Sequence, residues 1–283
     1  MPKRADLPED ERRYREAADA GDADALNKLG LLLWERGEPN KAEHIFPRAA
    51  EAGSTAAADS MGALMEQRGN VKAAVRWYRR AADAGYVLAL AHLGKLAERT
   101  DAAEAERWYR SAIDAGLEQR DDATATDAEA HFTADEKRWR RNRNTAHIKA
   151  MLRLGILLDQ RGESAEAEQW WRRAADTGDD EGMYNLGLVN FTRGDLAEAE
   201  TWWQRAVAAG NSNAMSDMGF LRERQGDREE AEQWYRRGAA AGNQRARDNL
   251  RILLGEHRSE SPSGHGIAGS DYGGGHYALG FNF

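Results

Sequence analysis

The chain has 283 residues, a formal net charge of -8 and no Cys, so disulfides and thiolate zinc sites are excluded. It contains no apolar run of about eighteen residues, which excludes a membrane-spanning helix, and its N-terminal segment contains no apolar stretch that could act as a signal peptide. The negative charge argues against a general affinity for nucleic acid. These features predict a cytoplasmic protein.

Helices are predicted throughout the chain. Pro occurs only 5 times, Ala, Glu, Arg and Leu are abundant, and the β-branched residues that favour strands are sparse. The wealth of Ala, and of Arg over Lys, is typical of a bacterial genome with high GC content. The fold class is therefore predicted to be all-α.

In chain order, residues 1–9 are a leader, and residues 10–20 are predicted to form a leading helix. A block of repeats follows from residue 10 to residue 116. It is marked by short phrases such as AADAG that each end in Gly, at intervals of 32, 32, 31, 62, 32 and 32 residues along the whole chain. These glycines are Gly21, Gly53, Gly85, Gly116, Gly178, Gly210 and Gly242.

A second set of landmarks divides each period into a helix A and a helix B. A Gly that follows Leu or Met lies in helix A, and an Ala, an aromatic residue and a second small residue follow in helix B. A Gly inside a helix costs about 1 kcal/mol relative to Ala, so its recurrence predicts that the Ala of helix B packs closely against it. The helix A glycines are Gly30, Gly62, Gly94, Gly155, Gly187 and Gly219, and the aromatic residues are Phe46, Tyr78, Tyr109, Trp171, Trp203 and Tyr235.

The turns carry their own signals. Gly37, Gly69, Gly162, Gly194 and Gly226 follow Arg or Gln at the predicted end of helix A, where a left-handed residue is expected. Capping boxes are predicted at Asp195 with Glu198 and at Asp227 with Glu230. The third copy lacks both the turn glycine and one residue, which predicts a tighter or irregular turn.

This frame resembles the tetratricopeptide repeat, and helix B phrases such as RWYRRAADAG and QWWRRAADTG resemble the related Sel-one-like repeat. The match covers residues 10 to about 255. The resemblance implies a right-handed superhelical solenoid of stacked antiparallel helix pairs, because a single pair cannot bury its own apolar face. It also implies a protein without catalytic activity, metal or cofactor that acts as a scaffold or adaptor for another protein or peptide.

Residues 117–145 fill the doubled interval and are predicted to be either a degenerate repeat or an insertion. They include the basic run from Lys137 to Arg143 around Trp139, which could bind phosphates, although acidic residues precede it in the same segment. A second repeat block is predicted over residues 146–255, ending in a closing helix A at 243–255. That helix carries polar Arg251 where the frame has Gly.

From residue 256 to 283 the composition changes to Gly and Ser, which predicts a disordered tail. The tail is unusual in its aromatic content. It is predicted to be either an inert terminus or a docking segment for a partner or for the protein's own groove. The docking candidates are Tyr272, His276, Tyr277, Phe281 and Phe283.

In the related family, helix A lines the concave face that binds peptides. The frame positions that should face inward are mixed in the first half of the chain and become apolar in the second half, which predicts an apolar contact strip there. Core packing between repeats is the alternative explanation, and Arg153 and Asn185 fit only part of the family's clamp for a peptide carboxylate. The partner-binding candidates are Leu152, Arg153, Ile156, Tyr184, Asn185, Leu188, Phe191 and Phe220.

Two further functions are open at this stage. One is a regulatory sensor whose groove is occupied by its own tail, and the other is a nucleic-acid-binding regulator that uses the basic run. The seven His show no metal-ligand spacing, and no arrangement of residues points to catalysis. No membrane partner is expected.

Overall fold

A computed structural model describes residues 8–121 and 134–255, with side chains described over 8–116 and 145–255. These residues form fourteen α-helices and no strand, so the all-α prediction is confirmed. The chain divides into two compact units, Met1–Leu154 and Gly155–Phe283. The boundary falls inside the eighth helix, and each unit is considered separately.

In the first unit, consecutive helices pair and the pairs stack. α2 packs against α3, α4 against α5, and α6 against α7, while α3 contacts α4 and α5 contacts α6. The helices are α1 (Glu9–Asp19), α2 (Ala23–Glu35), α3 (Pro39–Glu51), α4 (Thr55–Gln67), α5 (Val71–Asp83), α6 (Val87–Ala97), α7 (Ala102–Asp121) and the first part of α8 (Ala134–Gln160).

The second unit repeats this arrangement. α10 packs against both α9 and α11, and α12 packs against both α11 and α13, so each helix from α10 to α13 contacts its neighbours in the chain. After the last part of α8 come α9 (Ser164–Asp176), α10 (Asp180–Arg193), α11 (Leu196–Ala208), α12 (Ser212–Gln225), α13 (Arg228–Ala240) and α14 (Gln244–Leu254). The even-numbered helices α2 to α14 are helix A of the frame, and the odd-numbered ones are helix B.

The turn glycines predicted at the end of helix A are left-handed in all five copies. At Gly194, for example, φ is 88° and the amide donates to the Phe191 carbonyl at 3.1 Å. This conformation strains any residue with a Cβ, so glycine ends the helix at little cost. In the third copy, which lacks this glycine, Thr100 and Asp101 both donate to the Ala97 carbonyl in an irregular turn, as predicted.

Two other local predictions have mixed outcomes. The Asp227 side chain accepts from the Glu230 amide at 3.0 Å, as a helix cap should. The Asp195 side chain makes no such bond, so the cap predicted there is wrong. Gly116 also departs from the pattern, because it lies inside α7 and contacts His147 instead of ending a helix.

The helix A glycines make room for the aromatic residue of helix B, and not for its Ala as the frame suggested. A Cβ on Gly62 would lie 2.5 Å from the Tyr78 ring, and one on Gly187 would lie 2.2 Å from the Trp203 indole. The same contact recurs in all six copies. Each ring is buried, so it fills the space against the bare backbone of its partner helix.

Close packing also explains why the last copy has Gly238 at the helix B position where the other copies have Ala. A Cβ on Gly238 would lie 2.7 Å from the Ala246 Cβ. α13 and α14 therefore approach too closely for a side chain at residue 238.

Polar ties between repeats recur at fixed spacing. Arg36 pairs with Glu11, Arg68 with Glu43, and Arg193 with Glu168, and each pair is 25 residues apart. Each Arg lies near the end of a helix A and each Glu on the preceding helix B. This ladder of ion pairs is not evident from the sequence, because each residue taken alone is one charged residue among many.

The predicted terminal helices are observed as α1 and α14. Within the doubled interval, α7 continues to Asp121 and α8 begins at Ala134. Residues 122–133 lie outside the described residues, as do the leader up to residue 7 and the tail from residue 256.

Candidate functional site

An apolar strip lies on helix A of the second unit. It consists of residues one or four positions after the frame glycine, or after Arg251 where the glycine is missing. Most members are half-buried, whereas Ile252 is 74% exposed. The strip is formed by Ile156 of α8, Leu188 and Phe191 of α10, Phe220 of α12 and Ile252 of α14.

Aromatic contacts give the middle of the strip a defined geometry. The Phe191 and Phe220 rings meet edge-on with centroids 6.1 Å apart, and Phe191 also lies 5.5 Å from the buried Trp203 indole. The Arg224 guanidinium lies 5.8 Å from the Phe220 centroid. An apolar platform with a cation at its edge suits a partner's aromatic or aliphatic side chains.

Three of the predicted contact residues are buried. Leu152 lies in the core, Tyr184 is 8% exposed and Asn185 is 2% exposed. Arg153 is partly buried, with its guanidinium 3.8 Å from the Glu98 carboxylate, and both Leu152 and Arg153 belong to the first unit. Of the predicted residues, those that present apolar surface in the second unit are therefore Ile156, Leu188, Phe191 and Phe220.

Tyr184 is held in a polar chain that links three successive A helices. Its hydroxyl donates to Asp217 at 2.9 Å, and the Arg245 guanidinium donates to the same carboxylate. Burial raises the pKa of the Asp217 carboxyl, and Arg245 opposes that effect. Burial and the Asp217 charge also raise the pKa of the Tyr184 phenol. Because Tyr184 fixes α10 to α12, its role here is structural.

Ile252 is a member of the strip that the sequence analysis missed. It stands 32 residues after Phe220 and so occupies the same frame position. Arg251 marks the position of the landmark glycine, but the frame assigns inward-facing positions only on the helices that carry that glycine. The interval alone could have identified it.

The corresponding face of the first unit is mixed, with Leu31, Trp34 and Ala63 beside the charged residues Glu66, Lys95 and Glu98. Glu66 accepts from the Tyr78 hydroxyl at 2.9 Å, and Glu98 accepts from the Tyr109 hydroxyl at 2.5 Å. Burial and the nearby carboxylates raise the pKa of both phenols. These glutamates stand at the frame position that Phe191 occupies in the second unit. Glu223 stands at that position in α12 and likewise accepts from the Tyr235 hydroxyl at 2.9 Å, so a buried tyrosine in helix B is matched by a glutamate in helix A in both units.

The helix B tryptophans are already covered by their neighbours. Arg173 stacks on Trp170 at 4.5 Å and Arg237 stacks on Trp234 at 4.2 Å, both measured to the ring centroid. The Trp234 indole also donates to Glu230. Because the arginine side chains already cover these rings, the tryptophans do not form an open binding face.

Several predicted features lie outside the described side chains. They are the basic run from Lys137 to Arg143 and the tail candidates Tyr272, His276, Tyr277, Phe281 and Phe283. Over the described residues, no group of His, Asp or Glu is arranged to hold a metal ion. Over those same residues, no helix is long and apolar enough to cross a membrane. The cytoplasmic location stays a prediction.

Family models match most of the repeat region. Models of the tetratricopeptide repeat match residues 23–52, 152–214 and 213–237. A model of the Sel1 repeat matches residues 58–86 and 88–117. No curated protein sequence gave a significant match to the chain.

Solved structures agree with this assignment. A Sel1 repeat protein from Oxalobacter formigenes is 22% identical, with a TM-score of 0.57 over 81% of this chain and 95% of its own. The pilF protein of Pseudomonas aeruginosa is 15% identical, with a TM-score of 0.58 over 84% and 99%. PilW, a type IV pilus biogenesis factor, is 12% identical, with a TM-score of 0.54 over 82% and 98%.

At these identities the structural likeness shows the fold alone. It agrees with the family models, with the recurrent contact between glycine and ring, and with the stacked helix pairs of each unit. The chain belongs to the tetratricopeptide and Sel1 repeat proteins.

Proposed function

We propose that this protein is a non-enzymatic scaffold or adaptor that holds another protein or peptide on the apolar strip of its second unit. One observation carries the proposal. Apolar side chains recur at one position of four helices, α8, α10, α12 and α14, and none of the four is fully buried. Repetition of partly open apolar surface is typical of a binding face.

The chemistry of the strip fits binding better than catalysis. Its five members are aliphatic or phenyl side chains that cannot transfer a proton or coordinate a metal. The nearby carboxylate of Asp217 is engaged by Tyr184 and Arg245. The binding energy would come from burial of apolar area, at about 25 cal/mol per Å².

The spacing of the strip describes the partner in outline. The axes of packed helices lie about 8 to 10 Å apart. Strip residues on successive A helices are therefore expected to be separated by about one helix spacing. A matching partner would present apolar side chains at about that interval, as an extended segment or one face of a helix does.

A paired substitution tests this function in the full chain. Peptides are first selected from a random displayed library on the unmodified protein, and their affinities are then measured for the Leu188→Ser/Phe220→Ser variant. We expect affinity to fall at least about tenfold, because each substitution removes an apolar contact and a factor of ten corresponds to about 1.4 kcal/mol.

Leu196→Ser is the matched control, because Leu196 is an exposed leucine of α11 outside the strip. It should leave peptide affinity unchanged, and all variants should retain their helical content. Equal loss in the control and the strip variant would contradict the proposal, as would unchanged affinity in both.

A further inference from the structure

We propose that the strip has an occupant within this chain, the segment Tyr272–Phe283, which folds back on α10, α12 and α14 and competes with partners. This inference rests on the proposed function of the strip. It adds a form of regulation, since a partner would have to displace the segment before binding.

The first support is where the described chain leaves the strip. α14 ends at Leu254, and Gly255 closes it in the left-handed conformation with φ of 74°. Ile252, the most exposed member of the strip, precedes that glycine by three residues. The segment is therefore tethered at the edge of the surface that we propose it covers.

The second support is reach. At about 3.3 Å per residue, the chain between Gly255 and Tyr272 can span up to about 50 Å. A few helix spacings of about 10 Å separate α14 from α10. The connection is thus long enough to bring Tyr272 to any of the three helices.

The third support is chemical fit. The segment YGGGHYALGFNF contains no Asp, Glu, Lys or Arg, and it carries four aromatic rings. A segment without charged side chains can enter an apolar strip without burying an unpaired side-chain charge. Its rings can add edge-on to Phe191 and Phe220, beside the Arg224 cation.

Tethering favours this segment over a second copy of the protein. A short linker holds an attached group at an effective concentration in the millimolar range. An intrinsic dissociation constant of about 1 mM would thus suffice for half occupancy, whereas a free copy at micromolar concentration would stay unbound at that affinity.

The absence of native Cys allows a direct test in the full chain. One variant combines Thr192→Cys, next to Phe191 on α10, with Gly280→Cys in the segment. The control combines Thr201→Cys on α11 with the same Gly280→Cys. The two threonines are matched, because both are exposed and each hydroxyl donates to a carbonyl of its own helix, at 2.8 and 2.9 Å.

Under mild oxidation at low micromolar protein, we expect the intramolecular disulfide with residue 192 to form at least about ten times faster than with residue 201. Replacing Tyr272, Tyr277, Phe281 and Phe283 with Ser should remove that advantage. The same serine variant, without the cysteines, should bind the selected peptides more tightly than the unmodified chain.

Equal disulfide rates at residues 192 and 201 would overturn the inference, and so would a disulfide that forms mainly between copies and depends on protein concentration. The cross-linking requires no partner. The tail inference can therefore fail while Leu188→Ser/Phe220→Ser still weakens peptide binding. If that variant leaves peptide affinity unchanged, the proposed function fails on its own measurement.

Discussion

The repeats built on Tyr78 and Tyr109 share a backbone frame with the repeat built on Trp203, but their A-helix faces differ. A buried phenol needs a hydrogen-bond acceptor, which Glu66 and Glu98 supply from helix A. The Trp203 ring instead contacts Phe191 at the equivalent position. The comparison teaches that the buried ring influences the chemistry of the exposed face one turn away.

The glycine contact common to both kinds of repeat should give the largest effect. We expect Gly187→Ala to lower the free energy of unfolding by about 2 to 3 kcal/mol, because its Cβ would lie 2.2 Å from Trp203. Gly62→Ala should cost less, since the smaller Tyr78 ring lies 2.5 Å away. Urea unfolding measures both. A gain in stability from the higher helix propensity of Ala would contradict this account.

The next largest loss of stability is expected at Glu11, the buried member of the ion-pair ladder. The side chain of Glu11 is 4% exposed and binds Arg15 and Arg36. Burial raises the pKa of its carboxyl, but the hydrogen bonds from Arg15 and Arg36 outweigh burial and hold the pKa below its ordinary value of 4.5. At neutral pH, Glu11→Gln should cost about 1 to 2 kcal/mol.

The sign of the pH dependence follows from that lowered pKa. The contribution of Glu11 is complete above the ordinary value of 4.5 and is lost as pH falls through the lower pKa of the folded state. The difference in melting temperature between the unmodified chain and Glu11→Gln should therefore shrink in acid. A difference that stays constant from neutral pH to about pH 3 would show that the ionised carboxylate contributes nothing.

A double-mutant cycle sharpens the comparison of the two faces. We expect Tyr78→Phe and Glu66→Gln to be coupled by about 1 kcal/mol, because each removes part of one hydrogen bond at 2.9 Å. Chemical denaturation of the two single variants and the double variant measures this coupling. Strictly additive effects would mean that Glu66 does not stabilise the buried phenol of Tyr78.

The smallest effect should be the same in both units. Arg193→Gln and Arg68→Gln each break one ion pair at the same position of the ladder, to Glu168 and to Glu43 respectively, and Arg68→Gln also removes a hydrogen bond to Asn40. We expect each to cost about 0.5 kcal/mol, since the partners are partly exposed and salt screens them. Thermal melts at low and high salt test this, and a cost above about 1 kcal/mol in only one unit would break the equivalence.

The sequence predicts the helix pairs well, because glycines, turn residues and aromatics recur at a fixed interval. It is less informative about which side of a helix a residue faces. Tyr184 and Phe220 both look like open aromatic residues in the frame, yet Tyr184 is buried because its hydroxyl finds Asp217 on the next A helix. Partners so far apart in the chain become visible only once the repeats are stacked.

Single landmarks also mislead when they are replaced. Ile252 was missed because its helix, with polar Arg251 at the glycine position, was interpreted only as a polar end of the array, although the interval to Phe220 is unchanged. The ring contact of Gly187 was assigned to an Ala, since spacing shows which residues recur but does not show which of them touch.

Arg251 also limits how this array could grow. At every other copy, bare backbone at this position receives a ring from the helix that follows. The Arg251 side chain would collide with such a ring. A further repeat added after α14 could therefore not pack its helix B against α14. An engineer who wished to lengthen the protein would first have to restore glycine at residue 251, and only then append another helix.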